Sequence, residues 1–340
     1  MNLILLKKLL DAASPSGHEH RAVQVFIDEA KTFADQVYTD FYGNAYAVIN
    51  PGAGEPFLLE AHIDEIGLIV RYVDEQGYLY IGSIGGVDPR IYIGQRVRLI
   101  CPDGDLLAVV GSKPIHLMTS EESNRPTKLS DLYLDTGLGA EEVKAKVPIG
   151  TAAVIEQPPL FVGSKVFSRA LDNRIGVFCI LETLRALKKT CSKQIVALAS
   201  VQEELGHHGA KIGAHRIQAK AAISIDVTFE TSQPQVDIHQ LGPSPFGSGA
   251  NLCVVPILHQ GIRRELEQTA REHNIPYTLS TSSSIAKSHT NADEITLTAS
   301  GIPTALVSVP CRYMHSPSEM VDLEDVQACI QLMTQYLQER

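Results

Sequence analysis

Five separated stretches of this chain carry a histidine, aspartate or glutamate where an apolar run stops. FLLEA leads into His62 and Asp64, QIVALASV into the adjacent pair Glu203 and Glu204, AAISI into Asp226, and TALVSVPCRYM into His315, while Asp172 opens the periodic run after SRAL. Ligands in open α/β sheets bind outside the carboxyl ends of the strands, so such residues are candidates to meet in space. Two imidazoles and three carboxylates are what a pair of close divalent ions requires: one bridging carboxylate, further His, Asp or Glu ligands on each ion, and a bridging water. With Asp172 as the bridge, His62 and Asp226 suit one ion and Glu204 and His315 the other. Glu203 is then spare beside the metals, where a general base must stand to take a proton from the water.

Each residue alone also has a plainer reading. Adjacent acids are commonly just solvated. Asp172 precedes an apolar-periodic run and could simply cap a helix. The HID stretch puts His62 and Asp64 on one strand face, where a histidine is often a satisfied core residue. His315, Ser316, Pro317 and Glu319 have the form of a capping box with proline at the first helical position. Asp226, inside an apolar strand, is hardest to leave idle, because a buried lone carboxylate needs a partner or a metal.

The elements that must position these groups follow from periodicity. Residues 2–13 and 17–34 carry helical spacing, and YAVI and FLLEAHID read as strands. After Ser168 helices and strands alternate through DNRIGVFCILETLRALKK, QIVALASV, HHGAKIGAHRI, AAISIDVT, GIRRELEQTAREHN, TALVSVP and LEDVQACIQLMTQYLQ. That alternation predicts an α/β fold, a mostly parallel sheet with helices on both faces. Between Gly67 and Gly163 the pattern changes to short alternating runs separated by EQG and PDGD turns, as in a small antiparallel barrel or sandwich. Residues 1–66 and 164–340 are therefore expected to form one catalytic α/β domain, interrupted by an inserted β-rich domain at 67–163.

The 340 residues are 44% hydrophobic with mean hydropathy +0.01, which suits a soluble globular protein. A net charge of −10 with no basic run argues against a nucleic-acid partner. No apolar stretch approaches the roughly 20 residues that span a bilayer, and MNLILLKKLLDAAS lacks the form of a signal peptide. Six scattered cysteines make no CxxC pair, so a zinc ribbon or disulfide scaffold is not expected and a reducing cytoplasm is.

SPSGHE (14–19), AHIDEIG (61–67), ALDNRIG (170–176), QEELGHHGA (202–210), SIDV (224–227) and RYMHSPSEMV (312–321) together resemble the ordered motifs of the glutamyl and deblocking aminopeptidases. These are dinuclear metallopeptidases that form tetrahedral (TET) particles, and the resemblance spans nearly the whole chain. It implies the same ligand set, adds Asp64 as a carboxylate orienting His62, and makes the inserted domain a dimerisation domain through which dimers build a twelve-subunit tetrahedron. It gives no ligand role to His207 and His208, which are expected at the surface or a helix start. One departure stands out: where relatives often carry a glycine-rich run ending Thr-Asp-Ala near the substrate pocket, this chain reads SHTNAD, with Asn291 at the acidic position. Specificity and rate are at issue there, whereas the metal ligands are unaffected.

The activity implied is removal of the N-terminal residue from peptides, with the substrate's free α-amino group at one metal. Zinc or cobalt suits one imidazole plus carboxylates per ion, and manganese accepts similar sets. Two other classes are weighed against it. A metal-free glycosidase could use an acidic pair about 5–10 Å apart, and some family members carry the label cellulase, but His62 and His315 would go unused. A metal-binding assembly protein that has lost catalysis would leave Glu203 without purpose.

Overall fold

The computed structural model describes residues 1–282, 284 and 286–339. Its centre is an eleven-stranded sheet ordered Gln36–Thr39, Ala45–Ile49, Ile195–Ser200, Phe57–His62, Ala221–Phe229, Thr304–Arg312, Glu319–Asp322, Lys165–Ser168 and Leu160–Val162; Ala250–Cys253 pairs with Thr304–Arg312 and carries Tyr277–Ser280 outside it. The four central strands run parallel, with Ser200 opposite His62 and Asp226 opposite Ser308, so their carboxyl ends meet on one side. Every residue of Ile195–Ser200 is buried, as a strand covered on both faces must be.

Outside this parallel centre the flanks pair antiparallel, except that Tyr277–Ser280 runs parallel to Ala250–Cys253. The strands Ala250–Cys253, Tyr277–Ser280 and Glu319–Asp322 are four residues each and too short to show a period in sequence. Helices cover both faces. Leu5, Phe26, Phe178, Leu266 and Met333 come from five helices on one side, and Ala210 and Ile295 come from two on the other. The helix expected over 17–34 spans only His20–Ala30. Gly17 adopts φ +85°, and its N–H donates to the Glu19 carboxylate, so the SPSGHE stretch is a loop that docks rather than a helical turn.

Between Gly67 and Ile155 six short strands close into an antiparallel barrel with its own core of Leu68, Val70, Leu79, Val97 and Leu134. Chain entry into the barrel is tight. A Cβ on Gly67 would lie 2.7 Å from the Ala153 carbonyl oxygen and 3.0 Å from Pro15, so the AHIDEIG glycine permits a backbone approach that no side chain would. Among the described residues, no helix is long and apolar enough to cross a membrane.

One buried cation holds the site strand to the N-terminal segment. Arg174 is fully buried; it donates to the carbonyls of Leu9, Ala12 and Ser14 at 2.7–3.2 Å, to the Ile63 carbonyl, and to Glu65 at 3.0 Å. Removing it takes the donor from four interior carbonyls and leaves the buried Glu65 to Arg169 and the Ser14 N–H. Arg174→Ala is expected to cost about 3–5 kcal/mol in a denaturant titration; a loss under about 1 kcal/mol, the worth of an exposed pair, would contradict this.

Candidate active site

The sheet's carboxyl edge delivers the predicted residues to one place. His62 ends its strand and Asp226 lies inside the neighbouring one; Glu203 and Glu204 follow Ser200 in the loop before the His208–Ile217 helix. His315 lies in the turn after Thr304–Arg312, with φ +61°. Asp172 and Asn173 hold non-helical angles at the head of the Leu171–Leu187 run, so Asp172 faces the sheet rather than capping a helix.

Ligand atoms of His62, Glu203 and Asp226 all lie within 4.8 Å of one another, as do those of Asp172, Glu204 and His315. Asp172 lies between the two groups. Its Oδ1 is 3.0 Å from His62 Nε2 and its Oδ2 3.5 Å from His315 Nε2. His62 Nε2 is also 3.8 Å from Asp226, and His315 Nε2 is 3.2 Å from Glu204. Asp64, fully buried, lies 3.4 Å from His62 Nδ1 and accepts the N–H groups of both Glu203 and Glu204 at 3.1 Å. One carboxylate thus fixes an imidazole and the turn that carries both glutamates.

Electrostatics require compensation here. Burial pushes Asp226 well above the usual carboxylate range and, with Asp172 and Glu203 nearby, Glu204 up to about 7. Burial opposes charge on His315, yet Asp172 and Glu204 lift it to about 11; His62 rises against its burial because Glu203, Asp172, Asp64 and Asp226 surround it. Asp172, between two imidazoles, falls despite its burial. Four carboxylates crowded against two imidazoles cannot all ionise without cations, and this donor set suits divalent ions.

Sequence reasoning missed three participants. Glu319, 2% exposed, accepts the N–H of Asp172 at 3.0 Å and of His315 at 2.9 Å. No helix starts at Ser316–Pro317; Glu319 begins a strand instead, so the capping-box form is here a clamp on two backbone positions. His207 overturns its expected idleness. It does stand at the helix start, but its Nδ1 lies 2.9 Å from Glu203 Oε1 and it faces the cavity; His208 is exposed as expected. The adjacent HisHis gave no hint of which ring turns inward. Glu60 lies one strand step behind His62, fully buried, and accepts from Ser200 and Ser224 Oγ at 2.6 Å and from Asn291 Nδ2 at 2.7 Å. Asn291 is therefore a buried partner of Glu60, and its amide donates where an ionised aspartate would repel.

A cavity of about 500 Å³ opens over the cluster, floored by His62, Asp172, Glu203, Glu204, Asp226 and His315. Residues 43–332 match the model of the M42 glutamyl aminopeptidase family. The chain belongs to that family. It is 32% identical to the lysyl aminopeptidase of Pyrococcus furiosus over 340 residues, covering 98% of this chain and 96% of that one. A TET aminopeptidase from Thaumarchaeota archaeon SCGC AB-539-E09 superposes with TM-score 0.93 at 26% identity, covering 99% of this chain and 95% of the other. The Pyrococcus horikoshii TET1 peptidase, described as assembling into a tetrahedron or a large octahedral shell, superposes with TM-score 0.86 at 28% identity over 98% of each chain. This M42 protein is accordingly a hydrolase and an aminopeptidase of the dinuclear metallopeptidase type. Neither the glycosidase nor the lapsed-assembly reading is favoured.

Proposed function

We propose that this M42 aminopeptidase removes the N-terminal residue of peptides at a site where His62 and Asp226 hold one divalent ion, Glu204 and His315 a second, and Asp172 both. The observation that carries this reading is the Asp172 carboxylate, one oxygen toward each imidazole. When bound, the two ions would polarise the scissile carbonyl and lower the pKa of the attacking water. Glu203 accepts the water proton and hands it to the departing amine. Asp64 keeps His62 oriented and holds Glu203 and Glu204 in place through their N–H groups. Zinc or cobalt fits the donor set, and manganese also does. Prolonged dialysis against a chelator should abolish aminoacyl-p-nitroanilide hydrolysis, with zinc or cobalt restoring it; activity that survives full metal removal would favour a metal-free mechanism.

His207, with its Nδ1 2.9 Å from Glu203 Oε1, is placed to keep Glu203 from swinging toward solvent. His207→Ala should lower kcat by about 10- to 100-fold with KM and metal content little changed, since small misplacement of a reacting group is costly. Gln at 207 should recover part of the loss; equal damage in both variants would contradict a positioning role.

For the assembly, residues 67–163 form the dimerisation domain, and dimers join into a tetrahedral dodecamer. Exposed Tyr72, Tyr80, Leu107 and Val109 on the barrel supply apolar surface for it. The six free cysteines suit the cytoplasm.

A further inference from the structure

We propose that this enzyme selects uncharged N-terminal residues, apolar ones such as Leu and Met above all, and that the wall formed by Phe229, Leu241, Cys253, Ser280, Thr281 and Leu306 is what reads the side chain. The inference rests on the aminopeptidase reading above and concerns which substrates that site accepts.

An aminopeptidase must hold the α-amino group and the scissile carbonyl at the carboxylate–imidazole floor, so the first side chain occupies whatever space adjoins that floor. Two spaces do. The one toward Ile66 and Tyr92 measures about 20 Å³, room for little more than a water. The other is the cavity of about 500 Å³, which admits a large residue. Its far wall is apolar at Phe229, Leu241, Cys253 and Leu306 and hydroxylic at Ser280 and Thr281.

Among the described lining residues, carboxylates occur only on the floor, and no lysine or arginine lines the cavity. Apart from the floor groups and His207, which faces Glu203, the ionisable side chains among the described lining residues are those of His289 and Cys253, and burial pushes the Cys253 thiol up to about 12. Ser283 and Ile285, outside the described residues, carry no charge by type. Lys287 is exposed and off the lining, and Arg312 is held by Glu230 and Ser232.

A lysine or glutamate side chain entering this space would lose water without meeting a counter-charge, whereas Leu or Met would lose only unfavourable hydration. The charged specificities in the names of the Pyrococcus relative and of the family model, lysyl and glutamyl, would each call for an opposing charge that this wall lacks. Discrimination by unpaired polar groups acts on kcat/KM and exceeds what apolar size-matching achieves.

The test uses the full-length, metal-loaded enzyme on Leu, Met, Lys, Arg, Asp and Glu p-nitroanilides. Leu and Met should exceed each charged substrate by on the order of 100-fold in kcat/KM. A charged substrate within tenfold of Leu, or above it, overturns the proposal. Absence of turnover on all six would overturn the aminopeptidase reading and this proposal with it. Thr281, exposed on the wall with its hydroxyl directed to the Gln240 carbonyl, accepts a new charge without burying it. Thr281→Asp should raise the Lys-to-Leu ratio about tenfold or more, and an unchanged ratio would overturn the assignment of this wall to the first side chain.

Discussion

Glu203→Gln is expected to retain the metals and lose turnover by about 10²- to 10⁴-fold, the usual contribution of a general base. The substitution is close to isosteric. The backbone at 203 stays tied to Asp64, and so does that at 204, so Glu204, the proposed ligand, does not move. A glutamine amide at 203 can still face His207 but cannot accept the water proton. The expected result is therefore a specific one: unchanged metal content by mass spectrometry, unchanged melting behaviour, and collapse of kcat. Retention of more than about a tenth of wild-type kcat would remove Glu203 from the proton-transfer role, since general-base removal costs far more.

Asp172→Ala is expected to fail differently. Its carboxylate is the group shared by the two clusters, so its loss leaves each prospective ion short of one donor. Loss of an outer-shell partner alone typically costs 10- to 100-fold in metal affinity, so removal of the shared ligand should cost at least about 100-fold for the pair. After dialysis without added metal the variant should hold fewer than two ions per chain and show no turnover. Two tightly held ions in Asp172→Ala would refute the bridge. The contrast between the variants matters more than either alone, because a merely misfolded site would lose metal in both.

Legibility in the sequence followed physical range. Long elements with a clear period, such as Leu171–Leu187 and Leu323–Glu339, and the fully apolar strand Ile195–Ser200 were readable because burial dictates their pattern. The five ligand candidates were readable because strand ends in an α/β sheet converge whatever the loops do. The rest depended on side-chain direction. Glu319 reads locally as a capping residue, and only the pairing of Glu319–Asp322 with Lys165–Ser168 brings it under Asp172. His207 and His208 are indistinguishable in sequence, yet the positive φ of His207 aims one ring at Glu203 while the other stays exposed. Asn291 drew notice as a departure near the substrate; its amide instead points inward to Glu60, 231 positions away along the chain.

The most direct measurement is anomalous scattering from crystals grown with excess zinc or cobalt. Two peaks are predicted, one shared by His62 and Asp226, the other by Glu204 and His315, with Asp172 touching both. A single peak, peaks elsewhere in the chain, or none would contradict the two-ion account.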